Sequence, residues 1–283
     1  LLKDRKFSIH TIRSYRIDLI QFDKFLKGYD RALDFMKIDK TAIQFFIQSC
    51  SKGDMSSKTL LRKVSSIKSF FKYLMQINVL DYNISALIPS PKTSKRIPHY
   101  LSKEQVHKLM LLPDLNTYSG IKNRSILETF YSTGIRISEL VSIKTKDINI
   151  QKNVIKVFGK GKKERIVILG KKACDAIKNY LRVNKNSNNI YLYPSSYNVD
   201  SHISESYVYK MVKKYLTMVT NDEKMSPHSL RHSFATHLLD NGADLMSVKE
   251  LLGHEDLSST QVYTHISIDK MKKIYKQSHP HGK

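Results

Sequence analysis

Residues 226–237 read Ser226-Pro227-His228-Ser229-Leu230-Arg231-His232-Ser233-Phe234-Ala235-Thr236-His237. Local chemistry makes them a helix. Pro227 fixes φ and suits the first turn. The residues after it are helix-compatible up to Asn241-Gly242, where glycine is a good stop. His228 and Arg231 lie three apart and share a face. Leu230, Phe234 and Leu238 recur at four-residue spacing on another face and point into a core. One anchored helix thus presents an imidazole and a guanidinium together. A fixed fork of donors beside a proton-transferring ring suits a phosphate whose charge grows in a transition state.

Other readings compete. His228 and His232, at i and i+4, could share a metal, but no carboxylate or cysteine is placed nearby as a third ligand. A lone His228 would be a satisfied core histidine. His232 and His237 read as structural. The choice rests on partners elsewhere in the chain.

Charge points to the class of partner. The 283 residues hold 48 Lys+Arg against 25 Asp+Glu, a net +23 with pI near 9.8. Residues 1–95 carry 18 basic and 8 acidic side chains, or +10, which leaves +13 for the rest. Both halves are cationic, so the expected partner is a polyanion met along the whole molecule, with nucleic acid first. A membrane surface fits poorly, since the bases are not gathered on one amphipathic segment. No apolar run approaches the roughly 20 residues of a membrane span, and no signal peptide is visible. Cys50 and Cys174 fit no metal or redox pattern and suit a reducing cytosol. Leu1 in place of Met implies residues upstream.

Taken in order, residues 8–27 predict a helix with Tyr15, Leu19, Phe22 and Leu26 as its stripe. Asp39 or Thr41 caps a second through Ile43, Phe46 and Ile47. Ser56 or Ser57 opens a third, lined by Leu60, Val64, Ile67, Phe71 and Leu74. Its other faces carry Lys58, Arg62, Lys63, Lys68 and Lys72, a set that suits a phosphate backbone. Residues 1–88 therefore read as an all-helical bundle, and the proline-rich, basic stretch 89–100 as an extended linker. A second domain, 101–283, opens with Ser102 as N-cap and Gln105 in the capping-box position. A helix over 119–133 ends at Thr133-Gly134 and another begins within 135–140. Arg136 there opposes the helix dipole, which favours a functional role. Residues 153–158 and 164–169 predict a hairpin with the cationic tip Gly159-Lys160-Gly161-Lys162-Lys163. Helices follow near 171–183 and 203–218, with a short strand at 190–193. Val248–Leu252 is helical to Gly253, and a last helix covers 267–277 before a His/Pro/Gly/Lys tail. The fold class is mainly α with a small β component.

Five of these segments in this order resemble the tyrosine recombinases of the phage integrase family, in their Xer-like branch. They are Thr133-Gly134-Ile135-Arg136-Ile137-Ser138-Glu139-Leu140, Gly159-Lys160-Gly161-Lys162-Lys163-Glu164-Arg165, His228–Thr236, Leu251-Leu252-Gly253-His254, and Tyr263 nine residues after His254. Ser14-Tyr15 followed by Asp18-Leu19 is similar to the family's core-binding domain. Asn83-Ile84 stands where many members have Asn-Pro.

The resemblance implies an N-terminal helical, SAM-like core-binding domain and a C-terminal α+β catalytic domain, clamped in a C shape around duplex DNA. It implies Tyr263 as the nucleophile on the scissile phosphate, giving a 3′-phosphotyrosyl bond and a free 5′-hydroxyl. Arg136, Arg231 and His254 would hold the nonbridging oxygens, and His228 would orient or deprotonate. Lys160 would protonate the departing 5′-oxygen, with Glu139 in support. The implied partners are a double-stranded recombination site, a tetrameric synapse with itself or a paralogous recombinase, and an activating DNA translocase. No membrane, cofactor or metal is implied, and the setting is cytoplasmic. The residues agree with this chemistry: a tyrosine hydroxyl with an ordinary pKa near ~10 needs cationic neighbours or a base to attack at neutral pH. Chromosome dimer resolution is the expected role, which the compact length, with no added arm-binding domain, favours. The alternatives are integration of a mobile element, a type IB topoisomerase, and a noncatalytic DNA-binding protein on the same clamp.

Overall fold

The computed structural model describes residues 7, 9–30, 38–53, 55–89, 91, 99–159, 164–184, 189–198, 200–253 and 268–282. The chain divides into two compact units, Leu1–Arg96 and Ile97–Lys283.

The first unit is helical. Helix α1 spans Ile9–Tyr29, α2 Lys40–Ser51 and α3 Ser57–Gln76. Asp39 caps α2 by accepting from the Ala42 amide at 2.8 Å, and Ser56 caps α3 through the Thr59 amide at 3.3 Å, so each start is set by its own side chain. Phe22, Phe46, Ile67 and Phe71 form the core. Asn83 holds a short 3-10 turn, Ile84–Leu87, by accepting from the Ser85 amide and hydroxyl, and Ile84 fills the core. The basic face of α3 is smaller than the spacing predicts. Lys63 is buried, bonded to Asp18 at 3.1 Å and to Gln21, and Arg62 also pairs with Asp18. A buried carboxylate needs such partners, so these two cations serve the bundle while Lys58 and Lys72 stay exposed.

The second unit is built around α5, Tyr118–Thr133, which is buried continuously from Ser125 to Thr133. Helix α4, Lys103–Leu111, starts with the reciprocal Ser102–Gln105 capping box. After α5 come α6, Ile137–Val141, and a three-stranded antiparallel sheet, β1 (Ile148–Asn149), β2 (Val154–Phe158) and β3 (Glu164–Ile168), in order β1-β2-β3. β2 and β3 form the expected hairpin, with Phe158 opposite Glu164 and Val154 opposite Ile168. Next are α7 (Lys171–Val183), α8 (Glu205–Val219), α9 (Pro227–Asp240), α10 (Leu245–Leu252) and α11 (Ile268–Ser278). The strand expected at 190–193 is only an isolated bridge between Tyr191 and Lys144, because Lys144 lies between the end of α6 and a 3-10 turn at Thr145–Asp147 and offers no extended neighbours to continue the ladder.

Leu230 joins the main core, while Phe234 and Leu238 form a second cluster with Val248, Leu251, Leu252 and Tyr275. That cluster fixes α9 from below. The tail is not a loose end: His279 and His281 are buried against Tyr131, with ring centroids 5.0 and 5.2 Å away. No helix among the described residues is long and apolar enough to cross a membrane.

Candidate active site

Four chain segments converge where α5 ends. Gly134 closes α5 in the left-handed conformation, φ 58°, and a Cβ there would come within 2.5 Å of the Phe234 ring. Glycine is thus required twice, by the turn and by the packing of α9 against it. The close approach brings Arg231 to the carbonyls of Gly134 and, at 2.8 Å, Leu252. Arg231 is 9% exposed. Burial, with the nearby Arg136 charge, pushes its guanidinium down to about 10, so it remains a cation at neutral pH. Two of its five N–H groups serve those carbonyls.

Arg136 precedes α6 as its N-cap, and Glu139 reaches back to accept from the Arg136 amide at 2.7 Å and from its Nη1 at 3.2 Å. Glu139 is buried, its side chain 3% exposed, whereas that of Arg136 is 41% exposed. Burial alone would raise the Glu139 carboxyl. The Arg165 hydrogen bonds, the Arg136 amide and both guanidinium charges outweigh it and hold the group below its ordinary value. The site therefore holds a carboxylate among the guanidiniums of Arg136, Arg165 and Arg231, an excess of fixed positive charge. His228, exposed on the first turn of α9, shares with Arg136 an open concavity of ≈ 380 Å³ that Ser138, Glu205 and Tyr209 also line. An outward cation beside an imidazole, backed by a buried cation, suits an anion that must be held while a proton moves.

A sequence model of the phage integrase family matches residues 99–270, and one of the phage integrase N-terminal SAM-like domain matches residues 1–78. The chain belongs to the phage integrase family. It is a site-specific tyrosine recombinase of the Xer kind, a DNA strand-transferring enzyme. It is 37% identical to the tyrosine recombinase XerC of Syntrophus aciditrophicus, over 98% of this chain and 94% of that protein. Against the tyrosine recombinase XerD of Staphylococcus haemolyticus it is also 37% identical, over 98% and 95%. Among solved structures, the XerH site-specific recombinase bound to difH substrate in a pre-cleavage complex superposes with TM-score 0.69 at 26% identity, over 93% of this chain and 78% of that one.

In this recombinase the structure brings together Arg136, Glu139, Arg231 and His228. Lys160, His254 and Tyr263 lie outside the described residues. His237 is structural as expected: it is buried and its Nδ1 is 2.8 Å from the Tyr131 hydroxyl. His232 differs, being exposed one turn beyond His228. Sequence reasoning assigned no role to Arg165, which binds Glu139 through both Nη atoms, at 2.6 and 2.9 Å. The available signal is its register. Arg165 precedes Val167 by two on β3 and so takes an inward position, where a charge needs a partner.

Proposed function

We propose that the chain recombines a specific duplex site by two successive transesterifications. The tyrosine oxygen of Tyr263 attacks the scissile phosphorus. A Tyr–O–P bond forms at the 3′ side as the P–O5′ bond breaks, and Lys160 gives a proton to the departing 5′-oxygen. His228 orients the attacking hydroxyl or takes its proton. Arg136, Arg231 and His254 hold the nonbridging oxygens, and Glu139 supports Arg136. The same steps run backwards with a 5′-hydroxyl from the partner site, so bond energy is kept in the phosphotyrosine. The observation that carries this reading is the pairing of a buried Arg231 with an outward Arg136 across Glu139, beside His228.

The full-length likeness to XerC and XerD proteins favours the resolution of chromosome dimers in the cytoplasm. The working assembly is a tetrameric synapse on two duplex sites, formed with copies of itself or a paralogous recombinase and activated by a DNA translocase. Residues 1–88 contribute the core-binding domain, 89–100 the connector and 101–283 the catalytic domain.

A duplex site recovered by rounds of binding selection, placed twice in direct repeat on a supercoiled plasmid, tests the reading. Two resolved circles are expected, alone or with a paralogous recombinase added. Relaxation of the plasmid without exchange would mark a topoisomerase instead, and binding without either product a noncatalytic clamp.

A further inference from the structure

We propose that Arg165 is a positioning residue for Arg136: by occupying the fork of Glu139 it keeps the Arg136 guanidinium facing outward, free to meet a phosphate. This rests on the assignment of Arg136 to a nonbridging oxygen.

The geometry is unequal in an informative way. Glu139 has two oxygens. Arg165 takes both, at 2.6 and 2.9 Å, while the Arg136 side chain makes one longer bond, at 3.2 Å. Exposure follows the same order, with Glu139 at 3%, Arg165 at 18% and Arg136 at 41%. Carboxylate–guanidinium pairs are frequently bidentate. Without Arg165, the available bidentate partner of Glu139 is Arg136, whose donors would then point inward. The loss would therefore be one of aim rather than of net charge alone.

Arg165 also touches the end of α10. It is the second residue of β3, on the strand leaving the Lys160 tip. Its guanidinium lies over Gly253, the residue before His254, where a Cβ would come 2.7 Å from Nε and 2.8 Å from Cδ. Gly253 has φ +65°, so the end of α10 is shaped to leave that space. One side chain thus bridges the hairpin strand, Glu139 and the end of α10.

Single-turnover cleavage of a nicked site tests this, using the natural phosphodiester and a methylphosphonate at the scissile position. The methylphosphonate lacks the charged nonbridging oxygen, so a defect in meeting that charge is relieved on it and a folding defect is not. Arg136→Ala should lose ~10²–10³-fold on the diester and recover on the methylphosphonate. Arg165→Ala should lose ~10–10²-fold, as for a group displaced by about 1 Å, and recover in the same way. Arg165→Lys, which keeps charge but not the fork, should fall between. Adding Glu139→Gln to Arg165→Ala should restore part of the diester rate, because a neutral amide no longer captures Arg136. An Arg165→Ala enzyme within about 2-fold of wild type on the diester overturns the proposal. An equal defect on both substrates, while Arg136→Ala recovers, also overturns it. If Arg136→Ala itself fails to recover, the assignment of Arg136 falls and the proposal with it.

Discussion

Arg231 donates from Nη2 to the carbonyl of Leu252 at 2.8 Å, which joins the helix bearing His228 to the end of the helix that leads into His254. The same guanidinium serves the Gly134 carbonyl, so it is a structural tie as well as a charge.

Both functions should fail together on truncation. Arg231→Ala strands two buried carbonyls, at about 1–3 kcal/mol for each left unsatisfied, and removes a fixed cation. Denaturant unfolding should show the stability loss, and single-turnover cleavage should fall ~10²–10³-fold. Arg231→Lys should recover part of the stability and little of the rate, because an ammonium cannot span both carbonyls and a phosphate.

His279 makes the fold sensitive to mild acid. Burial, with His281 nearby, holds its imidazole well below the ordinary 6.5, whereas in the unfolded chain it titrates normally. As pH falls below 6.5 the unfolded state takes up a proton that the folded state refuses, so stability drops, by at most about 1.4 kcal/mol per pH unit from this group. Above 6.5 the group contributes no pH dependence. Thermal unfolding from pH 7.5 down to 5.5 should show this slope, and His279→Asn should flatten it. An unchanged slope in the variant would assign it to other groups.

Local chemistry made much of this legible. The Ser102–Gln105 box, the Asp39 cap, the stop at Gly134 and the pairing of β2 with β3 all follow from neighbours a few residues apart, which the sequence places side by side. The α9 faces were legible too: Leu230, Phe234 and Leu238 are buried as their spacing requires. What escaped depends on distant partners. Lys63 looks like a surface base until Asp18, 45 residues away, takes it inward. Arg165 looks like one more cation of a basic hairpin until Glu139, 26 residues away, meets it. The tail reads as polar, yet His279 stacks on Tyr275 with centroids 4.5 Å apart and has no role in the motifs. Of the candidate site, Arg136, Glu139, His228 and Arg231 can be singled out in the sequence because their motifs are short and contiguous.

Lys160 can be separated from its neighbours by chemistry. A general acid is needed for a departing alkoxide and dispensable for a departing thiolate, whose conjugate acid is far stronger. Lys160→Ala should therefore cleave ordinary DNA ~10²–10⁴-fold more slowly and recover most of its activity on a 5′-phosphorothiolate. Lys162→Ala and Lys163→Ala should show no such rescue. An equal Lys160→Ala defect on both substrates would leave it a purely electrostatic role.

The central claim is that Tyr263 carries the DNA strand. The wild-type enzyme incubated with a site nicked beside the scissile phosphate, then resolved under denaturing conditions, should yield a covalent adduct. Peptide mapping of that adduct should place a 3′-phosphate on Tyr263. Tyr263→Phe should bind the same site within a few fold and give none. An adduct that persists in Tyr263→Phe, or that maps to another side chain, would contradict the account.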